Sequence, residues 1–529
     1  MEAEILKRGW KEACRKFLLF VSLCCLYCVS FSSDLTSSVL YAELLLDPCP
    51  SGSRGQQNGS GEAVTDTVVT VSPLTIPEID STPLTPSQST VTDSACGGFG
   101  SSASSTAWVA SIYTCVRVGT CWLDGITFEV LGARKSAFLG LLLFTIGSLG
   151  SSFANELYIL YITGGLISGL GGGLLFTLPV AVIDIVFSSH KCLLMAFASS
   201  TSGIGVVYLA LAGRSAIQYG GWQWYYRVLG FTSIATMLTV IILPGKLSSD
   251  GYKQTRTSQS SSATGSSSSE GKETKDLSTI GSTLSETSRP CGTLQGLAKK
   301  TKLSFIRGIS LYRNFNFILL VIVYFLLSLM FFVPIVTARH RSQHIGSSND
   351  ESFLQVILVG AGWLGGGLSA GLTVQYLPVS PILMQGVIST AVGLSCCLSA
   401  LVNTVDGFRY FITLYGFLIS AVNALGPLAL LEIVKKEEVP HAVGQMLLPA
   451  AISVLCGPPA AGWLYDISGS YVLPAAIGGG IMVSSGLCEL YLFARVQRQK
   501  RNKSNNTIAC PGPAHMAVES SAVAETMVC

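Results

Sequence analysis

The chain has 529 residues, of which 12% are charged and 49% hydrophobic, with 55 glycines and a net charge of +3; its mean hydropathy is +0.53. A soluble domain carries about 25% charged residues, so half that share leaves too little polar surface to face water all round. These figures exclude a string of soluble domains, and a charge of +3 is too weak a field to argue for nucleic acid.

Setting aside the polar stretches 1–16, 45–104, 245–315 and 495–529 leaves 347 residues. At roughly 20 apolar residues per span plus short connections, that is room for about twelve helices. Apolar stretches begin near Phe17, Thr106, Ser136, Leu157, Cys192, Trp224, Phe317, Phe353, Ser380, Arg409, Val443 and Tyr471. Backbone polar groups in lipid must be satisfied within their own segment, and no stretch shows the alternation of a barrel strand, so every span reads as a helix. The expected organisation is a tail over 1–16, a six-helix bundle over 17–244, a connector over 245–315, a second bundle over 316–494 and a tail over 495–529.

The first span also fits another reading. Lys7, Arg8, Lys11, Arg15 and Lys16 before the apolar run Phe17 to Phe31 describe a secretory leader, with Ser32 and Ser33 near a cleavage point. Apolar character resumes through Val39 to Leu46, which favours a retained helix. Of the 33 Lys and Arg, 26 fall on the side of the tails and connector and 5 on the other, which predicts both termini in the cytoplasm.

The loop 45–104 then faces outward. It holds six acids against Arg54 and a sequon at Asn58, which predicts glycosylation there. Cys49 and Cys96 either pair as an extracellular disulfide or stay as free thiols. The connector, with its serine-rich run Ser258 to Ser269, reads as a disordered tether. Cysteines inside the spans lack metal-ligand spacing and read as small packing residues.

No GxxxxGK[ST], GxSxG or HExxH pattern occurs, so neither an enzyme nor a cofactor or metal centre is expected. The run Gly164 to Gly173 has no preceding strand and lies inside a span, where small residues let helices approach closely. His340 and His344 have HxxxH spacing, but Arg339 and Arg341 beside them repel a cation; a solvated or weakly pH-sensing loop is expected. Arg117 lies eleven residues into its span, about 16 Å down at 1.5 Å per residue. A guanidinium there costs at least ~2.5–3.5 kcal/mol. It should therefore face either a transported organic anion or a fixed counter-ion, and Asp34 in the first span is the nearest candidate.

Several stretches resemble the monocarboxylate transporter family of the major facilitator superfamily. Ser105-Thr106-Ala107-Trp108 opens the second span as in that family, and Gly132-Ala133-Arg134 looks like its cytoplasmic loop motif, with Glu129 in the place of an Asp. Phe187 to Gly205 is similar to YFxKRRxLAxGxAxAGxxxG, Gly221-Trp222 resembles the GW before the sixth span, and Gly457 to Tyr471 is close to GPPxAGxLYDxxGSY. The resemblance implies an all-α membrane protein, twelve transmembrane helices in two pseudo-symmetric six-helix bundles with a central cavity opening alternately to either side. It implies a plasma-membrane carrier of a small carboxylate-bearing solute, a gating contact involving Glu129 and Arg134, and a single-span glycoprotein chaperone as partner. The family's first-span lysine falls at Leu35, and an ungapped match places its eighth-span Asp and Arg at Gly362 and Gly366. Those missing charges favour a facilitative carrier, as for aromatic amino acids, with Asp34 and Arg117 as the substrate-binding centre; a non-transporting membrane sensor or scaffold is the alternative.

Overall fold

The computed structural model describes residues 2–35, 44, 103–176, 178–187, 191–243, 310–434 and 439–508. Asn58, Cys49, Cys96 and nearly all of the connector lie outside the described residues. Helix α1 is Glu2–Leu35, α2 Ala103–Leu131 and α3 Ala133–Ser151. Helix α4 is composite: Leu157–Leu160, a π-helical stretch Tyr161–Ile167, and Ser168–Phe176 followed by Leu178–Val186. Helix α5 comprises Lys191–Ser200 and Ser202–Gly220, and α6 is Trp222–Val240. The second half has α7 (Phe315–Phe331 and Val333–Val336), α8 (Asn349–Tyr376), α9 (Pro381–Ser399), α10 (Val405–Leu431), α11 (Val439–Ser468) and α12 (Val472–Ile508). Nine of these stretches are, among the described residues, long and apolar enough to cross a bilayer.

Local chemistry sets the helix ends. Gly132 at φ 77° and Gly221 at φ 79° turn the chain between α2 and α3 and between α5 and α6; a side chain is strained in that region. Ser348 and Glu351 form a capping box that starts α8, each side chain meeting the other's backbone N–H at 3.2 Å. Pro334 has no N–H to give the Met330 carbonyl four residues back, and α7 breaks at Phe332. The Tyr415 hydroxyl donates to the adjacent Phe331 carbonyl at 2.7 Å.

Between helices in lipid there is little hydrophobic driving force, and close backbone contact takes its place. The glycine run of α4 supplies it, as its composition predicts. Gly169 and Gly173 abut the Tyr113 and Arg117 carbonyls on α2, and Gly171 abuts Gly140 and Phe144 on α3. The two halves meet chiefly through α2 against α11 and α5 against α8. The second crossing is backbone on backbone, Gly203 against Gly360. Large apolar side chains such as Phe138, Ile146, Leu238, Leu398 and Tyr410 point outward, as a lipid-facing surface requires.

The solvated loop expected at His340 and His344 is instead a short helix, Ala338–His344, packed mainly against α8, with its imidazoles on Tyr465 of α11 and Tyr471 in the turn before α12. His340 Nδ1 lies 2.6 Å from the Tyr471 hydroxyl, and both imidazoles sit edge-on to the stacked pair Tyr465 and Tyr471. Burial, with His344 beside it, pushes the His340 imidazole down to about 4. The neutral ring is thus the folded form, so its contribution is fully present above the ordinary value of 6.5 and fades as pH falls toward 4. Between pH 7.5 and 4.5 the melting temperature should drop by a few degrees, and His340→Gln should flatten that acid limb.

Candidate functional site at the Asp34–Arg117 pair

The site is assembled by α1, α2 and α4. Thr114 and Arg117, three residues apart, share one face of α2, and that face meets Asp34 at the end of α1. Arg117 Nε stands 2.6 Å from Asp34 Oδ2, and Thr114 Oγ1 donates to Asp34 Oδ1 at 2.7 Å. Both charged side chains are buried, at 1% and 0% exposure. Two hydroxyls hold α1 in place: Tyr113 donates to the Ser30 carbonyl at 2.9 Å, and Ser30 donates to the Gly172 carbonyl at 2.7 Å. Gly172 also makes room for the Tyr113 hydroxyl, since a Cβ there would lie 2.8 Å from it.

The guanidinium is flanked by two rings, its Cζ 4.8 Å from the centre of Phe31 and 4.7 Å from that of Phe176. Such contacts stabilise a desolvated cation by about 2 kcal/mol. Around them an aromatic cluster bridges the two halves. Trp363 on α8 lies 5.0 Å from Phe31, and Phe332 on α7 lies 6.4 Å from it, ring centre to ring centre. The Tyr27 hydroxyl lies near the side chain of Asn423 on α10. Arg117 Nη1 and Trp363 Nε1 are buried donors with no acceptor among the described residues. On its other side Asp34 lines a small cavity inside the first bundle, shared with Ser33, Tyr113, Ser148, Tyr225 and Tyr226.

Of the residues singled out in the sequence, Asp34 and Arg117 therefore come together as a buried ion pair. Arg134 lies elsewhere: its Nε and Nη2 donate to the Leu243 and Ile241 carbonyls at 2.9 and 2.8 Å, capping the end of α6. Glu129 sits near the end of α2, and its side chain is outside what the structure describes. Gly362 and Gly366, matched to the family's charged pair, face the α10 backbone at Thr413 and Phe417. The α8 residues turned to the central seam are their neighbours Trp363 and Gly367, the latter against Ser200 of α5. The ring cage of Phe31, Phe176 and Trp363 was not legible in the sequence, because an aromatic residue in a span faces lipid as readily as a site.

The sequence model of the Major Facilitator Superfamily matches residues 23–425 and 320–511. Monocarboxylate transporter 12-B of Danio rerio is 25% identical over 416 residues, covering 77% of this chain and 82% of its own. Monocarboxylate transporter 1 of Homo sapiens is 27% identical over 411 residues, covering 75% and 78%. Among solved structures, a peptide transporter POT in complex with sulfate superposes with a TM-score of 0.58 at 12% identity, over 91% of this chain and 95% of that one. The proton:xylose symporter XylE bound to 6-bromo-6-deoxy-D-glucose gives 0.54 at 16% identity, over 89% and 94%. At those identities the structures share the fold alone. The chain belongs to the Major Facilitator Superfamily, and it is monocarboxylate transporter-like over most of its length.

Proposed function

We propose that the protein carries a small organic anion across the plasma membrane by alternating access, and that the anion's carboxylate binds Arg117. The observation that carries this reading is the buried ion pair in which Nε faces Asp34 and Nη1 has no acceptor among the described residues. A carboxylate arriving through the seam would meet that donor first and then compete with Asp34 for the rest of the fork. Trp363 Nε1, the second unoccupied donor of the seam, and the Phe31 and Phe176 rings suit a solute that has an aromatic body behind its carboxylate. This favours aromatic amino acids and related acids over lactate.

No charge stands on the seam-facing side of α8, where Trp363 and Gly367 lie. The step at Arg117 is accordingly facilitative: one guanidinium alternates between two carboxylates without taking up a proton. Arg134, released from the α6 carbonyls, would contribute with Glu129 to closing the cytoplasmic side. A single-span glycoprotein as delivery partner and glycosylation at Asn58 belong to the same reading, as do cytoplasmic termini. A transporter of this kind is not an enzyme.

The test is uptake of labelled lactate, pyruvate, phenylalanine and tyrosine into proteoliposomes, with and without an inward proton gradient. Saturable uptake of the ring-bearing solutes, changed less than twofold by the gradient, is expected. Strong acceleration by the gradient would sink the facilitative reading, and no flux of any solute would favour the sensor or scaffold.

A further inference from the structure

A second buried acid lies in the other bundle, away from the seam. Glu489 on α12 is fully buried, its Oε2 accepts from Ser389 Oγ on α9 at 3.4 Å, and its Oε1 has no hydrogen-bond partner. Gln385 precedes Ser389 by one turn on the same face of α9 and is equally buried. Its Nε2 donates to the Tyr324 hydroxyl of α7 at 3.0 Å, while its Oε1 accepts nothing. Gly386 between them brings the helices together, for an added Cβ would lie 3.0 Å from Leu490 Cδ2. Two buried acceptors without a hydrogen-bond partner thus flank Ser389, one on α9 a turn before it and one on α12 beside it.

Among the described residues no cation answers them. The neighbours on the packed helices are the Tyr324 phenol from α7 and the Ser389 hydroxyl and Gln385 amide from α9, and among the described side chains α10 and α11 bring no charged group to Glu489. On α12 itself the nearest base is Arg495, which is engaged with Asn316 and the Phe315 ring. An ionised carboxylate left alone in such a place is strongly disfavoured, and a buried polar atom without a partner is disfavoured to a lesser degree.

We propose that Glu489 is a proton-binding site, at which the neutral acid donates from Oε1 to Gln385 Oε1 and satisfies both orphaned oxygens with one hydrogen bond. On release the O–H bond breaks, the proton passes to water, and the carboxylate keeps the electron pair. The contact must then hydrate, which loosens α9 from α12. Glu489 is seventeen residues along α12 from Val472, about 26 Å at 1.5 Å per residue, and Gln385 is four residues from the start of α9. The site therefore lies near the membrane face on which the chain ends, the face expected to be cytoplasmic, and exchanges its proton there. Both helices belong to one bundle, and rocking of the bundles leaves their contact intact. The proton accordingly tunes the packing of that bundle and is not carried across with the solute. The chain from Gln385 to Tyr324 continues to Gly426 on α10, against which the Tyr324 hydroxyl packs. One turn back on α10 is Asn423, which lies near Tyr27 at the seam.

Infrared difference spectroscopy on the purified full chain in lipid nanodiscs tests this without any solute, and so independently of the carrier reading. Wild type minus Glu489→Gln should show a protonated-carboxyl band that shifts in heavy water and disappears completely as the pH is raised. Gln385→Leu, which keeps the acid, should move the band to higher frequency by removing its acceptor. A carboxylate band at every pH, an acid band that never titrates, or an acid band unmoved by Gln385→Leu would overturn the proposal. So would saturable loss of the band on adding sodium chloride but not potassium chloride at fixed pH, since the same oxygens would then be serving a sodium ion.

Discussion

Arg117→Ala should abolish uptake and also destabilise the protein, because it takes the charge partner away from an Asp34 carboxylate buried at 0% exposure, with the Thr114 hydroxyl still donating to it. Breaking a buried pair from one side costs about 3–5 kcal/mol. Asp34→Asn should be comparably harmful, since it strands a guanidinium between Phe31 and Phe176. The informative variant is the double one. Asp34→Asn with Arg117→Gln replaces two buried charges by two neutral amides able to bond each other and Thr114, and exchanging a whole buried pair for neutral groups is often close to neutral for stability. The monodisperse fraction and melting temperature of the double variant should return close to wild type, while tracer uptake stays at background. Arg117→Lys should keep part of the stability and lose most of the uptake, because an ammonium lacks the planar fork that grips Asp34 and a second carboxylate together. Wild-type uptake by the double variant would show that the pair holds α1 to α2 and nothing more.

What could be read from the sequence follows the physics of each feature. The spans were legible because twenty apolar residues have one economical solution in lipid; Gly132 and Gly221 entered only as parts of family-like motifs, and their φ values near 78° are known from the structure. Arg117 and Asp34 were legible for a related reason: charge in a span is costly enough to demand a partner, and the structure supplies each with the other. Rotation of a helix about its axis was much less legible. A glycine-rich helix such as α8 offers almost no amphipathic signal between residues 360 and 367, so nothing in the composition says which glycines face α10 and which the seam. Glu489 was passed over because it lies close to the polar tail, where a carboxylate is ordinarily solvated; only the packing of α9 on α12 shows that it is not.

That rotation of α8 yields the second large effect. A Cβ on Gly366 runs into the Phe417 carbonyl, and one on Gly362 into the Thr413 carbonyl, backbone atoms of α10 that cannot swing aside. Gly366→Ala should therefore cost about 3 kcal/mol, the upper end of the range for overpacking, or more. It should lower the melting temperature by many degrees and cut the monodisperse fraction severalfold. Gly365→Ala is the matched control, because its Cβ meets only the edge of the Phe417 ring at 3.4 Å, an ordinary contact; it should stay within a few degrees of wild type. The same geometry forecasts the outcome of restoring the family's charged pair. Gly362→Asp with Gly366→Arg would force an acid and a base between α8 and α10, away from Arg117 and the solute. The expected product is a protein that fails to fold, rather than a proton-driven carrier. A folded double variant whose uptake follows the proton gradient would mean that α8 turns those two positions to the seam during the cycle, and it would remove Trp363 from the site.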